Sequence, residues 1–158
     1  MFGRFRKVVV TTTATMALAI PMVAGFEGYR SGAYLDAVGI PTICFGETKG
    51  VQMGDSKTRE ECEDMLEERL VEFENGVRSC LPSYDDLTPQ TQAAFVSFSY
   101  NVGTGAFCRS TLRRKAEAGD LVGACNELPR WNKAGGVVLP GLSKRREEER
   151  QLCLAGLS

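Results

Sequence analysis

Two carboxylic acids and a threonine stand at short intervals near the start of the chain. Asp36 follows Glu27 by nine residues, and Thr42 lies six residues beyond Asp36. Hydrolysis of a glycosidic bond needs a protonated acid for the leaving oxygen and a second carboxyl group that activates water or attacks carbon. Glu27 follows the apolar Phe26, a setting that favours the protonated form, whereas Asp36 belongs to a more solvated turn. Thr42 could hydrogen-bond a water molecule held by Asp36. By spacing alone, the same residues also fit surface carboxylates at a helix end and a turn.

The composition of the 158 residues narrows the possible chemistry and partners. There is no histidine, which excludes Ser-His-Asp and Cys-His nucleophile systems and the His-ligated zinc sites of amidases. Carboxylate chemistry remains, and we expect neither a cofactor nor a metal. Residues 27–86 carry 14 acidic and 6 basic side chains, whereas residues 109–150 carry 10 basic and 6 acidic ones. This asymmetry suits a partly anionic polymer lying across the molecule, and it fits charges on solvated faces at least as well. No basic run is interleaved with aromatics, so nucleic acid is not an expected partner.

The candidate residues must be positioned by a small hairpin and the helices around it. Residues 33–46 (AYLDAVGIPTICFG) predict a β-hairpin with a DAVG turn, closed by Gly46. Thr58 and Glu61 form a capping box for an amphipathic helix. Thr88-Pro89 begins a nearly all-apolar segment, which predicts the central buried helix. Shorter helices are expected over 110–118, 120–131 and 143–154, separated by glycine and proline.

This order of elements predicts an α+β fold. It consists of a small β-hairpin lobe and a larger helical lobe, joined by the helix that begins at Thr58 and preceded by an N-terminal apolar helix. We divide the chain into a membrane segment, residues 1–26, and a catalytic domain, residues 27–158.

Six cysteines are spread along the chain without a C-x-x-C pair, which argues against zinc ribbons and thioredoxin-type motifs. An even number in a chain with an export-type start favours disulfides, although six free thiols remain an alternative. One bridge can join the end of the hairpin to the helix that follows it. A second can join the two segments that flank the central helix, and a third can join two C-terminal helices. The predicted pairs are Cys44–Cys62, Cys80–Cys108 and Cys125–Cys153.

Residues 8–26 contain no charge and follow the cations Arg4, Arg6 and Lys7. The length suffices to span a bilayer, and the cations favour a cytoplasmic N-terminus. Seven Val, Leu, Ile or Phe residues supply only about −2 to −4 kcal/mol of insertion free energy, which Thr, Gly and Pro diminish. The segment fits a cleaved signal peptide, a permanent anchor or a transient anchor that is exported and later released.

The stretch FEGYRSGAYLDAVGIPTICFGETKG resembles the opening of the phage-type lysozymes, glycoside hydrolase family twenty-four. In that family a Glu ends the first helix, an Asp follows after nine residues and a Thr after six more, before a hairpin glycine. These positions are Glu27, Asp36, Thr42 and Gly46 here, with no departure in spacing. The segments AAFVSFSYNVGTGAFCRSTLRRK and RWNKAGGVVLPGLSKRREEERQLCL look like the family's helical lobe. The resemblance covers roughly residues 24–155.

The resemblance implies a monomeric muramidase that cuts the β-1,4 bond after N-acetylmuramic acid in peptidoglycan and lyses a bacterial host. Its implied mechanism is inversion: Glu27 donates a proton, while Asp36 and Thr42 position the attacking water. Tyr100 and Thr111 match positions that line the family's sugar cleft. One departure is Glu47, where the family often has a histidine outside the catalytic set.

With its N-terminal segment the chain resembles the signal-arrest-release endolysins of lambdoid-type phages. This resemblance implies export by the host Sec machinery, arrest on the periplasmic side of the inner membrane through residues 8–26, and release into the periplasm. On release we expect the last turns, about residues 22–26, to join the helix that carries Glu27. No cysteine precedes Cys44, so control by a cysteine in the anchor is not expected.

Two other functions stay open from the sequence. A lytic transglycosylase needs a lone acid and forms an anhydro product; the pairing of Asp36 with Thr42 argues against it. A membrane-tethered, non-catalytic peptidoglycan-binding protein is disfavoured by the intact set of Glu27, Asp36 and Thr42.

Overall fold

Seven α-helices and two antiparallel hairpins form the part of the chain that the computed structural model describes, residues 12–158. The helices are α1 (Ala14–Glu27), α2 (Arg59–Cys80), α3 (Pro89–Val102), α4 (Thr104–Arg109), α5 (Thr111–Glu117), α6 (Leu121–Glu127) and α7 (Pro140–Ala155). The strands are β1 (Arg30–Leu35), β2 (Pro41–Cys44), β3 (Lys133–Ala134) and β4 (Val137–Val138). The predicted α+β order, with a hairpin lobe and a larger helical lobe, is confirmed.

The first helix, α1, packs into the helical lobe. Thr13 caps it by accepting a hydrogen bond from the backbone N–H of Met16 at 3.2 Å. Met16, Ala19 and Val23 recur on one face and are at most 2 % exposed, and the helix lies against α2 and α3. The helix therefore includes far more of the apolar segment than residues 22–26, because this face matches the core. The proposed boundary between residues 26 and 27 falls within its last turn.

Residues 8–11 of the proposed membrane segment lie outside the described residues. Within residues 12–158, no helix combines the length and the hydropathy needed to cross a bilayer.

The hairpin of β1 and β2 follows α1 directly and has the predicted turn. Tyr34 pairs with Thr42 and Leu35 with Pro41. The backbone N–H of Asp36 donates to the carbonyl of Ile40 at 3.0 Å, which closes the turn. The hairpin thus places Asp36 at the turn between the strands and Thr42 on the returning strand, β2.

Local capping fixes the two long helices where the sequence predicts them. Thr58 and Glu61 make both hydrogen bonds of the capping box at the start of α2. Pro89 occupies the first turn of α3 after the cap Thr88. Residues 93–99 of α3 are all buried, and α1, α2, α4 and α7 contact this helix, so it is the centre of the core.

The C-terminal part differs from prediction in three places. The helix expected over 120–131 ends as α6 at Glu127, and Leu128–Arg130 forms a separate 3₁₀ helix. Residues 133–138 form the hairpin of β3 and β4 rather than a break between helices, because Gly135 and Gly136 adopt φ of 56° and 78°. Helix α7 begins at Pro140 instead of Ser143, with proline in the first turn, where a missing N–H costs nothing.

Three disulfides join these elements in the predicted pairs. Cys44–Cys62 ties β2 to α2, Cys80–Cys108 ties the end of α2 to α4, and Cys125–Cys153 ties α6 to α7. The first of these bridges holds the hairpin lobe against the helix that links the two lobes.

Candidate functional site

Glu27 is the last residue of α1, where the chain turns into the hairpin. Its side chain is 25 % exposed, and Oε1 accepts a hydrogen bond from Nη1 of Arg145 at 2.7 Å. The guanidinium of Arg145, on α7, also lies 4.7 Å from the centre of the Phe26 ring. Phe26 therefore supports the cation that binds Glu27, whereas the sequence suggested that it would surround the acid itself.

A cavity of about 310 Å³ opens beside Glu27. Its walls come from α1, from the segment after β2, from α2 and from α3. The residues that line it are Glu27, Gly46, Glu47, Thr48, Arg69, Phe73, Tyr100 and Asn101. This cavity lies between the hairpin lobe and the helical lobe.

Gly46 brings the end of the hairpin against Glu27. A Cβ atom at this position would lie 3.5 Å from Oε2 of Glu27, and the glycine adopts φ of +86°. Any other residue would be strained in this conformation. The two oxygens of Glu27 thus have different surroundings. Oε1 contacts Arg145, and Oε2 faces the hairpin and the cavity.

Tyr100 shares the cavity with Glu27, and its role in substrate binding stays a prediction. Its hydroxyl donates to the carbonyl of Phe45 at 3.2 Å, which links α3 to the hairpin lobe. Burial, with the negative charges of Glu27 and Glu47, raises the pKa of Tyr100 to about 12. The phenol is thus neutral at physiological pH, and because its hydrogen is donated to Phe45, its oxygen is left to accept a hydrogen bond.

Glu47 forms an ion pair across the cavity with Arg69 of α2. Nη2 of Arg69 lies 2.8 Å from Oε1 and Nε lies 3.2 Å from Oε2. Burial by itself would raise the pKa of Glu47, but Arg69 and the backbone N–H groups of Lys49 and Thr48 hold it below its ordinary value. Glu47 is therefore an ionised link between the lobes.

Asp36 and Thr42 share the backbone of Ile40. Oδ1 of Asp36 accepts hydrogen bonds from the N–H groups of Val38 at 2.9 Å and Ile40 at 2.8 Å. The hydroxyl of Thr42 donates to the carbonyl of Ile40 at 2.9 Å. Within residues 12–158, no hydrogen bond involves Oδ2 of Asp36, and the lone pairs of the Thr42 oxygen remain to accept one. Oδ2 of Asp36 and the oxygen of Thr42 are therefore the atoms of this turn that remain available for a further hydrogen bond.

The family model for phage lysozymes matches residues 24–149. The chain belongs to the phage lysozyme family. It is 42 % identical over 133 residues to a SAR-endolysin of Bacteriophage PS119, across 84 % of this chain and 78 % of the relative. It is 38 % identical over 160 residues to a SAR-endolysin of Enterobacteria phage PA-2, across 96 % of both chains.

Two solved forms of one phage lysozyme relative, the P1 phage endolysin Lyz, differ in their likeness to this structure. The active form has a TM-score of 0.80 at 30 % identity, covering 94 % of this chain and 86 % of the relative. The secreted inactive form has a TM-score of 0.60 at 27 % identity, covering 94 % and 98 %. The structure described here is therefore more similar to the active form.

The structure brings together only some of the residues that the phage lysozyme resemblance singled out. Glu27 and Tyr100 line one cavity, and Asp36 and Thr42 lie together on the hairpin. Thr111 lies at the start of α5, where its hydroxyl oxygen accepts from Arg114 at 2.8 Å. It is not among the residues lining the cavity, and its binding role stays a prediction.

Sequence reasoning missed the groups that surround Glu27 from the far end of the chain. Arg145 is 118 positions away, and no motif connects the two residues. Arg69, Phe73 and Asn101, on α2 and α3, also line the cavity, and no sequence motif marked them. The spacing of Arg145 and Glu27 in the sequence does not indicate that they interact, because only tertiary packing brings them together.

Proposed function

We propose that this phage lysozyme family member is a muramidase that hydrolyses the β-1,4 bond between N-acetylmuramic acid and N-acetylglucosamine and lyses a phage's bacterial host. One observation carries the proposal: Glu27 reaches an inter-lobe cavity against the hairpin that bears Asp36 and Thr42. The family match and the SAR-endolysin relatives support the same substrate, peptidoglycan.

Glu27 acts as the general acid in this proposal. Because Arg145 holds Oε1, the proton resides on Oε2, the oxygen that faces the cavity and Gly46. The proton passes to the glycosidic oxygen as the bond to the leaving sugar breaks. The oxygen of Tyr100 accepts a hydrogen bond from a sugar hydroxyl in the cavity, since its own hydrogen is donated to Phe45.

Asp36 and Thr42 hold the attacking water. Oδ2 of Asp36 takes the water's proton, and Thr42 accepts the water's second hydrogen. Since Oδ1 of Asp36 is fixed by two backbone N–H groups, the carboxylate is held in one orientation. Attack on the face opposite the leaving group inverts the anomeric carbon and gives the α product from a β bond.

The proposal extends to control by the membrane. The N-terminal segment, residues 8–26, first holds the chain on the inner membrane after Sec-dependent export and then leaves it for the periplasm. The name SAR-endolysin and the match across 96 % of one such relative support this. In the structure α1 packs in the core and places Glu27, so the described conformation corresponds to the released enzyme.

The decisive experiment compares turbidity loss of outer-membrane-permeabilised Gram-negative cells by wild type and Glu27→Gln. Removing the proton donor should lower the rate by about 10²–10⁴-fold. Equal clearing by both proteins would refute the enzymatic role of Glu27. Product analysis distinguishes the alternative functions. An anhydro product indicates a transglycosylase, and binding without any product indicates a non-catalytic peptidoglycan-binding protein. An early β anomer would contradict inversion.

A further inference from the structure

Behind the cavity lies a buried ionic cluster that the proposed reaction does not use. Its centre is Glu149 on α7, whose side chain is fully buried. The hydroxyl of Ser97, on α3, donates to Oε1 of Glu149 at 2.7 Å. Nε of Arg145 lies 3.4 Å and Nη2 of Arg146 lies 3.0 Å from the same oxygen. One carboxylate thus faces two buried guanidinium groups.

The second oxygen of Glu149 also meets Arg146. Nε of Arg146 lies 2.7 Å from Oε2, in an ion-pair contact whose angle is not that of a hydrogen bond. Burial raises the pKa of Glu149, and the charges of Arg146 and Arg145 with the Ser97 hydroxyl oppose that rise. A neutral Glu149 would leave two adjacent buried cations without their shared counter-ion, which is costly. The carboxylate form is the one that the cluster requires.

Both arginines extend from Glu149 to the wall of the cavity. Nη1 of Arg145 donates to Glu27 at 2.7 Å, and Nη1 of Arg146 donates to Asn101 at 2.9 Å. Glu27 and Asn101 both line the cavity. The buried carboxylate of Glu149 therefore helps to orient two side chains that line the cavity, Glu27 through Arg145 and Asn101 through Arg146.

Glu149 is the carboxylate that the two arginines share. Two guanidinium groups face Glu149 on the buried side, and of these two only Arg145 also contacts Glu27, on the cavity side. If Glu149 lost its charge, Glu27 would be the sole carboxylate in contact with either arginine in the described structure. The positive potential at Glu27 would rise, and its proton would be held less firmly.

We propose that Glu149 is a positioning residue for the general acid, acting through Arg145. It orients the guanidinium toward Glu27 and offsets part of the positive charge that Arg145 presents to Glu27. The inference rests on the proposed role of Glu27 as proton donor, and it adds a residue that never touches the substrate.

The sign of the effect follows from the charged and titratable groups around Glu27. These are Arg145 from α7, Arg69 from α2, Tyr100 from α3 and Glu47 from the segment after β2. The change Glu149→Gln leaves all four in place and removes a negative charge from behind Arg145. Glu27 then ionises at lower pH, so activity is lost at lower pH on the alkaline side.

The test is the pH dependence of kcat/KM on purified peptidoglycan for wild type and Glu149→Gln. We expect the alkaline limb to move down by about 0.5–1 pH unit, while the acidic limb, which the mechanism assigns to Asp36, stays in place. Glu149→Asp keeps the charge and should restore most of the alkaline limb. A structural defect alone would lower activity at every pH without moving either limb.

Glu127 offers a matched control in the same lobe. Its side chain is 7 % exposed and pairs with Lys115 at 2.6 Å and Arg130 at 3.5 Å. Glu127→Gln thus also removes a buried carboxylate from two cations, but neither cation contacts Glu27. We expect it to lower the melting temperature as Glu149→Gln does and to leave the alkaline limb unchanged.

The outcomes separate the two proposals. An unmoved alkaline limb in folded Glu149→Gln, or an equal shift in Glu127→Gln, overturns the positioning role while Glu27→Gln remains inactive. Full activity of Glu27→Gln overturns the proposed catalytic role itself. If Glu149→Gln does not fold, Ser97→Ala decides: loss of its hydroxyl should move the limb in the same direction by about 0.2–0.5 unit, and no movement refutes the inference.

Discussion

Exposed alanines on α1 allow the membrane-release proposal to be tested without damaging the folded enzyme. Thr13 caps α1 and Thr15 is buried against Gln92, so replacing these threonines with leucine would damage the folded state as well as favour insertion. Ala14 and Ala17 belong to the same apolar segment but are exposed on the folded helix. The double change Ala14→Leu and Ala17→Leu therefore alters the membrane-bound state more than the released one.

The expected size of the effect follows from insertion free energies. Each leucine contributes about −0.3 to −0.6 kcal/mol in a membrane segment, so two favour insertion by about 0.6–1.2 kcal/mol. This corresponds to about a 3–8-fold shift toward the membrane-bound form. The assay fractionates cells after depolarisation and follows the full-length protein in the membrane and the soluble periplasm. The variant should be released less completely and lyse cells later.

The control places the same substitution outside the segment, at the exposed Ala118. Ala118→Leu should be released like the wild type. The purified double variant should match the wild type in melting temperature and muramidase rate. Release of the double variant at the wild-type level would refute the reasoning. So would a soluble fraction holding only a species about 25 residues shorter, since that would identify a cleaved signal peptide.

The remaining predictions concern stability. Replacing Cys125 and Cys153 with serine opens a loop with a sequence separation of 28 residues. Denaturant unfolding should then show a loss of about 3–4 kcal/mol; a loss below about 1 kcal/mol would contradict this account. Glu47→Gln removes the inter-lobe ion pair with Arg69 and should cost about 0.5–1 kcal/mol at pH 7. Because folding lowers the pKa of Glu47, its contribution is present above the ordinary value of 4.5 and is lost as pH falls through the lower folded value. Urea midpoints of the two proteins should therefore converge in acid, and a constant difference would exclude this ion pair as the cause.

Several features follow from the sequence because they depend on neighbours along the chain. The cap at Thr58 needs only Glu61, and the turn that holds Asp36 needs only the backbone as far as Ile40. Their geometry is fixed within a few residues, so the first hairpin, the starts of α2 and α3 and the spacing of the candidate catalytic residues were predictable. The disulfide pairs were predictable because each joins two cysteines that follow one another in the sequence, 18 or 28 positions apart.

Only the tertiary structure decided what surrounds Glu27. The apolar segment before it reads as a membrane span, yet Met16, Ala19 and Val23 also form one face that matches the core, and hydropathy cannot distinguish the two uses. Arg145 and Glu149 stand in a charged run that reads as a solvated helix face. Packing of α7 against α3 buries them, because the cost of desolvating each charge is offset only when its partners are brought from distant parts of the chain. Sequence therefore determines which residues can do the chemistry, and the packing of distant helices determines the electric field in which they do it.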